Sequence, residues 1–246
     1  MTDPTQALSF GAAAADYDRF RPRYPEDALR WALDGLTAPA RVVDLGAGTG
    51  ILTRGVLALG HQVVPVEPDP GMRAQLDAVT PGVTALAGTA ERTPLPAGTA
   101  DAVLVGQAYH WFDRERAHDE IARVLRTGGT FAPIWNTRDE RVDWVAELGR
   151  IAHLGDTVGD LMGQVRDFGP AFGAVELGEF PHLATLAPDE VIGMIRTRSY
   201  HLTSAPRQQR RVERELRELL ATHPDLAGQG TVELPYRTLV FRARRR

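Results

Sequence analysis

The first half of the chain alternates short apolar runs with runs of helical period. The apolar runs, bounded by glycine, proline and other turn residues, predict five strands, at residues 41–45, 62–67, 83–87, 101–105 and 130–135. The runs between them predict helices at residues 51–59, 70–79 and 114–126. In the last of these, Ala117, Ile121 and Val124 share one face. Strands joined by helices of this length favour right-handed crossovers and a parallel, doubly wound sheet.

The last third of the chain has a different pattern. Its helical runs lie near residues 144–151, 189–198 and 207–221, and two weaker apolar runs predict strands at 174–180 and 231–244. The final run is expected to return to the sheet edge. The fold class is then α/β: a doubly wound, mostly parallel seven-stranded sheet with helices on both faces, an antiparallel C-terminal edge hairpin and an N-terminal helical cap. Without repeats or a Ser/Gly-rich linker, residues 1–246 are expected to form one domain, with the cap over residues 1–40.

One residue conflicts with this pattern. Pro65 lies inside the second predicted strand, where the missing N–H costs a ladder bond unless it falls at a free position. We keep the strand and expect its last residues to be the weakest part.

A glycine-rich loop between the first strand and the first helix is the most informative segment. Gly46, Gly48 and Gly50 stand at every second position, which allows a tight turn and a close approach of the backbone to a ligand. The following helix N-terminus offers N–H groups to a carboxylate or phosphate. In an open parallel sheet such a ligand lies beyond the carboxyl ends of the strands.

The spacing of the glycines limits the classes of ligand that the loop is expected to bind. The dinucleotide-binding fingerprint has its third glycine three residues after the second, whereas Gly50 follows Gly48 by two, which disfavours an NAD-dependent oxidoreductase. Asp44 precedes the loop, and Glu67 closes the second strand, 21 residues after Gly46, where its carboxylate can accept both hydroxyls of a ribose. A ligand with ribose hydroxyls and no pyrophosphate fits best.

Composition excludes several kinds of chemistry. The 246 residues include no cysteine and no lysine, so the 28 basic residues are all arginines, against 32 acidic residues, for a net charge of −4. A thiolate nucleophile, a cysteine metal site and a Schiff base on a side-chain amine are therefore excluded. The histidines show no metal-ligand spacing. Mild acidity disfavours nucleic acid as a partner, and no apolar run approaches the ~20 residues of a membrane span. We expect a cytoplasmic protein.

Several further motifs follow the glycine loop in order: Gly88-Thr89-Ala90-Glu91 with Pro94-Leu95-Pro96, then the run from Gln107 to Asp113, then the turn from Leu125 to Gly129. With the loop from Asp44 to Gly50 and the acidic strand end at Glu67, they resemble the class I S-adenosylmethionine-dependent methyltransferases, particularly the type 11 branch. The resemblance extends from about Phe10 to Trp135. It implies a Rossmann-like fold with a cofactor-binding half over residues 41–136 and substrate-side helices and strands over 137–246.

The resemblance also implies a site for S-adenosyl-L-methionine, formed by Asp44, Gly46, Ala47, Gly48, Gly50, Glu67, Pro68, Ala90, Glu91 and Gln107. Within that set Asp44 would lie near the amino group of the cofactor, Glu67 at the ribose and Pro68 on the adenine. Glu91 and backbone groups would meet the adenine edge, because Thr89 stands where many type 11 members have an aspartate. Gln107 would line the cofactor wall.

The residues that act on the acceptor are less sharply indicated. His110 follows the fourth predicted strand, where acceptor and methyl group would meet, so it is a candidate general base. Alternatively, His110 and Trp111 only pack the start of the next helix. Tyr17, Arg21 and Tyr24 could close over the site with Trp111, because an aromatic face suits a sulfonium cation and arginine suits a carboxylate. The alternative is a helical cap with solvated arginines.

The predicted function is methyl transfer to a small-molecule acceptor by in-line displacement. Two alternatives stay open: a non-catalytic S-adenosylmethionine-binding module with a regulatory role, and a methyltransferase that acts on a macromolecule. The expected partners are a small-molecule substrate, with no nucleic acid and no membrane, and a second copy in a homodimer. From residue 205 onward ten arginines face five acidic residues, an excess that could guide an anionic substrate or simply be a solvated surface.

Overall fold

A computed structural model describes residues 14–154, 163 and 165–246; residues 1–13 of the predicted cap lie outside them. The described strands form one six-stranded sheet in the order β2-β1-β3-β4-β6-β5. Strands β2, β1, β3 and β4 are parallel, and β6 runs antiparallel between β4 and β5. Their bounds are β1 Arg41–Leu45, β2 Gln62–Val66, β3 Ala100–Gly106, β4 Leu125–Arg138, β5 Glu176–Leu186 and β6 Val232–Arg244.

Helices cover both faces of the sheet. Their bounds are α1 Ala14–Phe20, α2 Glu26–Ala32, α3 Ile51–Ala58, α4 Pro70–Val79, α5 Arg114–Val124, α6 Asp143–Ile151, α7 Pro188–Arg196, α8 Ser199–Thr203 and α9 Pro206–Thr222. Helices α2 and α3 cover one face, with Leu29 and Val56 packed on Val42 and Leu104. Helix α5 covers the opposite face. The predicted α/β class is confirmed. No helix in the described part of the chain is long and apolar enough to span a bilayer.

The strand predicted at residues 83–87 is not formed, so the described sheet has six strands instead of the expected seven. Only Leu86 pairs with β2, through its N–H to Pro65 O at 2.9 Å and through its carbonyl to the N–H of Glu67 at 3.0 Å. Because the carbonyl of Pro65 faces residue 86, its nitrogen faces the same side, away from β1. The missing N–H of Pro65 therefore removes no hydrogen bond between β2 and β1. It removes one between β2 and the segment at residues 83–87.

Several other boundaries differ from the prediction, among them that of β5, which continues to Leu186 instead of ending at residue 180. Helix α5 ends at Val124 instead of continuing to residue 126, and β4 begins at Leu125 and continues to Arg138. The register of β3 and β4 shifts between Ala100 and Ala102, and this irregularity accommodates the residues 125–129 that the sequence predicts as a turn.

The two C-terminal strands do form an antiparallel pair at the sheet edge, from Glu176 opposite Arg242 to Leu186 opposite Val232. They are not a hairpin, because α7, α8 and α9 lie between them in sequence. Helices α6, α7 and α9 enclose a separate apolar cluster that includes Tyr236 of β6. The substrate-side part predicted over residues 137–246 thus has its own core beside the sheet.

An aromatic cluster fills the core under α5. Phe131 of β4 is fully buried, with its ring centroid 4.5 Å from that of Phe168 and 5.6 Å from that of Phe172. Tyr109 lies at 6.1 Å on another side. Removal of the Phe131 ring loses all of these contacts and leaves a cavity, because the surrounding structure relaxes only in part.

We therefore expect Phe131→Ala to lower the free energy of unfolding by about 3–5 kcal/mol. Leu183→Ala on β5 is the control, since this side chain is 61% exposed and its loss should change stability by less than about 0.5 kcal/mol. Urea unfolding followed by circular dichroism measures both. Equal destabilisation by the two variants would contradict this account of the core.

Candidate active site

The glycine loop is fixed by backbone hydrogen bonds and by close neighbours. The N–H groups of Gly46 and Ala47 both donate to Val66 O, at 2.8 and 3.1 Å. Gly46 and Gly50 have positive φ angles of 73° and 82°. A Cβ at Gly46 would lie 2.8 Å from Ala108 Cβ, and one at Gly50 would lie 2.8 Å from Leu76 Cγ. Glycine is thus required at both positions by conformation and by space.

Gly48 differs from its neighbours. Its φ angle is 55°, and a Cβ placed there would meet no atom within 4 Å. Its N–H donates to Glu67 Oε2 at 2.8 Å. The backbone at Gly48 is therefore held from one side and faces open space on the other, as a surface that receives a ligand requires.

Glu67 follows β2 and is almost completely buried, at 7% exposure. Its Oε1 accepts the N–H of Asp69 at 2.9 Å, and its Oε2 accepts that of Gly48. Burial raises the pKa of Glu67, and the two backbone hydrogen bonds oppose that rise. Each carboxylate oxygen retains a second lone pair, so Glu67 can still accept hydrogen bonds from the hydroxyls of a ligand.

Asp44 lies in β1 and is 1% exposed. Its Oδ2 accepts the hydroxyl of Thr53 at 2.6 Å, whereas its Oδ1 is buried without a hydrogen-bond partner among the described residues. Burial raises the pKa of Asp44 to about 7, and the Thr53 hydroxyl opposes the rise. An orphaned carboxylate oxygen is costly to bury, so the position fits a cationic or hydrogen-bond-donating group of a ligand.

The end of β3 presents Gln107 in a strained conformation. Gln107 has a φ of 60°, uncommon outside glycine, and its N–H donates to Ile134 O at 2.9 Å. Its side-chain Nε2 donates to Asn136 O at 2.9 Å. Backbone strain of this kind persists only where surrounding contacts enforce it, and it concentrates at functional sites.

His110 and Trp111 lie in the short 3-10 turn Tyr109–Trp111 that follows β3. Both side chains are half-buried, with ring centroids 4.9 Å apart. Burial lowers the pKa of His110 to about 4, so the imidazole is neutral at pH 7 and can accept a proton. The packing interpretation and the general-base interpretation are both compatible with this position.

The remaining predicted cofactor residues are placed around the segment that follows β2. Ala90 is buried in the main core, Pro68 is exposed, and Thr89 is exposed in a tight pairing with Arg92. Glu91 Oε1 accepts the N–H of Asp113 at 3.0 Å and so fixes the start of α5. The contacts of Ala90, Glu91 and Pro68 with adenine stay predictions.

Comparison with known proteins decides the family. The profile of the methyltransferase domain matches residues 43–132. An uncharacterized methyltransferase of Mycobacterium tuberculosis is 44% identical over 238 residues, 96% of each chain. The chain belongs to the class I S-adenosylmethionine-dependent methyltransferases. An uncharacterized methyltransferase-like protein of Schizosaccharomyces pombe is 29% identical over 98% of this chain and 97% of its own. The solved structure of a putative type II methyltransferase from Anaeromyxobacter dehalogenans superposes with a TM-score of 0.68 at 26% identity, over 92% of this chain and 98% of that one.

In this methyltransferase the helical cap is attached directly to the glycine loop. Asp18 Oδ1 in α1 accepts the hydroxyl of Thr49 at 2.9 Å and pairs with Arg54 Nη2. Arg54 Nη1 in turn donates to Thr49 O at 2.8 Å. No sequence pattern singles out Asp18, although it lies within the aromatic and arginine-rich cap motif next to Tyr17.

Asn136, the last residue of the predicted cofactor half, is a second contact that the sequence analysis missed. Its Nδ2 donates to the carbonyls of Pro22 and Arg23, at 3.3 and 3.1 Å, and its Oδ1 accepts the hydroxyl of Thr238 at 2.7 Å. Its own carbonyl accepts the Gln107 side chain. Asn136 therefore joins the cap, the end of β3 and β6, and only the folded topology brings these segments together.

The predicted cap residues divide into two groups. Tyr24 lies over the end of β3, with its hydroxyl 2.6 Å from where a Cβ of Gly106 would stand. Burial raises the pKa of Tyr24, and the nearby charge of Asp44 adds to the rise. Arg21 stacks on Tyr17 at 4.6 Å and donates to Oγ1 and O of Thr197, at 3.1 and 3.0 Å. Arg21 is thus held against the end of α7 and is not a solvated arginine.

Replacement of Asp44 by asparagine should reveal the cost of this buried carboxylate. In the ligand-free protein the folded state keeps the Asp44 proton up to about pH 7, whereas the unfolded chain releases it near pH 4. The wild type therefore loses stability between about pH 4 and pH 7, and Asp44→Asn lacks that loss. We expect the variant to have the higher Tm at pH 8 and the difference to vanish near pH 4.

Thermal unfolding between pH 4 and pH 8 measures this difference. Asp119→Asn, at an exposed position of α5, is the matched control. A Tm difference for Asp44→Asn that did not change with pH would show that Asp44 is not a buried titrating group.

Proposed function

We propose that this protein uses S-adenosyl-L-methionine to methylate a small-molecule acceptor by in-line displacement. One observation carries the proposal: the orphaned, buried Oδ1 of Asp44, which stands beside a glycine loop that is open at Gly48. The family supplies the reaction class, and these two features indicate where the cofactor would be held.

The residues present fit the functional groups of the cofactor. Asp44 offers an unpaired acceptor to its amino group, and Glu67 offers free lone pairs to its ribose hydroxyls. Gly48 leaves room for the cofactor to approach the backbone. Asp44 and Glu67 raise each other's energy when both are ionised, and a cationic ligand relieves that repulsion.

S-adenosyl-L-methionine supplies a methyl group on a sulfonium centre, which makes the transfer intrinsically favourable. The chain must therefore position the acceptor and exclude water, and positioning is a large source of rate. Gln107 and Asn136 fix the end of β3 and the cap relative to each other. His110, neutral at pH 7, could accept the proton of an acceptor that must lose one.

The attachment of the cap favours a small acceptor. Asp18 binds the glycine loop and Arg21 binds Thr197, so the cap lies across the carboxyl end of the sheet and is held on two sides. A macromolecular acceptor would require these contacts to break. Small molecules are enclosed in sites of this kind, where most of their surface is buried.

Part of the C-terminal arginine excess is paired with carboxylates of β5. Arg237 pairs with Glu179, with its two donor nitrogens 2.5 and 2.8 Å from the carboxylate, and Arg242 lies 2.8 Å from Glu176. These arginines belong to β6, and their partners belong to β5. Part of the excess thus holds the sheet edge together, which supports an acceptor other than nucleic acid.

Cofactor binding should depend on pH through Asp44. S-adenosylhomocysteine carries the same amino group, and only ionised Asp44 can pair with it as a salt bridge. We expect the Kd of the wild type to fall by up to about tenfold per pH unit as the pH rises toward 7, and Asp44→Asn to bind more weakly with little pH dependence. Isothermal titration between pH 5.5 and pH 8 measures both. Absence of binding to the wild type would overturn the proposal.

Turnover separates an enzyme from a binding module. Release of S-adenosylhomocysteine from S-adenosylmethionine is measured over a panel of small-molecule acceptors and a macromolecular fraction. Activity on a small molecule is the expected result. Cofactor binding without turnover over the whole panel would favour the regulatory module, and activity confined to the macromolecular fraction would favour the other alternative.

His110→Asn tests the general base once an acceptor is found. For an acceptor that loses a proton, we expect kcat to fall by about a hundredfold or more, with the Kd for S-adenosylhomocysteine unchanged. Since burial lowers the pKa of His110 to about 4, the wild-type rate should not decline on this account until the pH approaches 4. An unchanged kcat would leave His110 with its packing role alone.

A further inference from the structure

Three arginines from distant parts of the chain converge on the substrate side of the site. Arg21 follows α1, Arg138 ends β4, and Arg198 follows α7. Arg138 stands opposite Tyr236 in the β4–β6 ladder. The three guanidinium groups and the Tyr236 ring lie close enough for each charge to act on the same neighbours.

Hydrogen bonds fix this arrangement around the end of α7. Arg21 donates to Thr197, the residue directly before Arg198, and Thr197 Oγ1 donates to Met194 O at 2.7 Å. The hydroxyl of Tyr236 donates to Met194 Sδ at 3.0 Å. The cap, helix α7 and strand β6 are thus joined at the point where the arginines meet.

Among the described residues, one carboxylate pairs with the three arginines of this cluster. Glu140 lies 3.3 Å from Arg138 Nη2, and in the described part of the chain no other carboxylate forms an ion pair with the three arginines. Arg138 has a side chain only 4% exposed. The Nε atoms of Arg138 and Arg198 are both buried without a hydrogen-bond partner. Burial lowers the pKa of Arg198, and the charges of Arg21 and Arg138 lower it further.

The three arginines lie on other elements than the residues assigned to the cofactor. Strand β3 alone separates β4 from β1, so Arg138 lies on a strand about 10 Å from that of Asp44 at ordinary strand spacing. The arginines that contact the glycine loop and the end of β2 are others: Arg54 bonds Thr49, and Arg73 bonds Glu67 O.

We propose that Arg21, Arg138 and Arg198 bind an anionic group, a carboxylate or a phosphate, of the methyl acceptor. The proposal rests on the proposed function and names its substrate class. Guanidinium groups whose N–H donors are buried and unpaired destabilise the fold unless an anion accepts those hydrogen bonds. The planar arrangement of their donors also matches the oxygens of a carboxylate or phosphate. The ring of Tyr236 and that of Tyr17 under Arg21 supply the wall beside the anion.

The cofactor has a carboxylate of its own, and this is the competing source of the anion. The test therefore uses protein saturated with S-adenosylhomocysteine, in which that carboxylate is already bound. Malonate and inorganic phosphate are the probes, titrated at constant ionic strength with chloride and followed by thermal shift and isothermal titration. We expect at least one probe to bind saturably and to raise Tm.

A variant that removes a charge from the cluster should be more stable without the anion and should bind the anion more weakly. Arg198→Met removes a half-buried charge, with a buried Nε and no carboxylate partner among the described residues, while keeping a long side chain, so we expect it to raise the Tm of the anion-free protein. The same variant should weaken probe binding by at least about tenfold, because charge-assisted hydrogen bonds are lost. Arg198→Lys keeps the charge and loses the planar fork; it should bind the probe with intermediate affinity. Arg210→Met, at an exposed position of α9, is the matched control and should change neither quantity.

Each remaining outcome has a defined meaning. Absence of probe binding to the saturated wild type would overturn the proposal. So would loss of S-adenosylhomocysteine affinity in Arg198→Met with unchanged affinity for 5′-methylthioadenosine, since that pattern would assign the arginines to the carboxylate of the cofactor. If the wild type binds a probe but no S-adenosylhomocysteine, the proposed function fails and, with it, the assignment of the anion to a methyl acceptor.

Discussion

The site depends on the attachment of the glycine loop to the end of β2. Val66 O accepts two successive N–H groups of the loop, and the Glu67 carboxylate accepts a third. Because β2 is held to β1 along all five of its residues, these bonds fix the loop in relation to the sheet. Gly46 and Gly50 then take conformations that other residues reach only with strain, and the loop at Gly48 faces open space.

The rest of the site can be understood as two regions of opposite charge. Asp44 and Glu67 place buried carboxylates at the ends of β1 and β2, and the arginine cluster places the buried Arg138 and the half-buried Arg21 and Arg198 at the end of β4 and around α7. Each region is destabilising by itself, since each holds polar atoms without partners. A protein retains such groups where a ligand completes them, at a cost in the stability of the empty fold.

The sequence predicted those parts of the fold and site that rest on local chemistry. The glycine spacing, the acidic residue after β2 and the alternation of strands and helices are visible in short windows, and so β1, β2, α3 and α4 are predicted within a residue or two. The strand predicted at residues 83–87 does not form, because Pro65 lacks the N–H that would pair with it. Which side of β2 loses this hydrogen bond is set by the register of β2 with β1. Asp18 and Asn136 were missed for a related reason, since their partners are distant in sequence.

The absence of lysine gives the arginine cluster a further significance. A buried lysine can lose its proton and become neutral when no counter-ion is present, whereas arginine stays protonated at any pH that a folded protein meets. Burial and two neighbouring charges lower the pKa of Arg198, yet a guanidinium group cannot escape its cost by deprotonation. The cost must therefore be offset by a counter-anion. In a chain whose 28 basic residues are all arginines, many pair with carboxylates in the described part of the chain, and pairs of this kind at the surface contribute little to stability. Arg138 and Arg198 differ because the Nε atom of each is buried without a hydrogen-bond partner, and it is these buried donors, more than the number of arginines, that indicate a ligand.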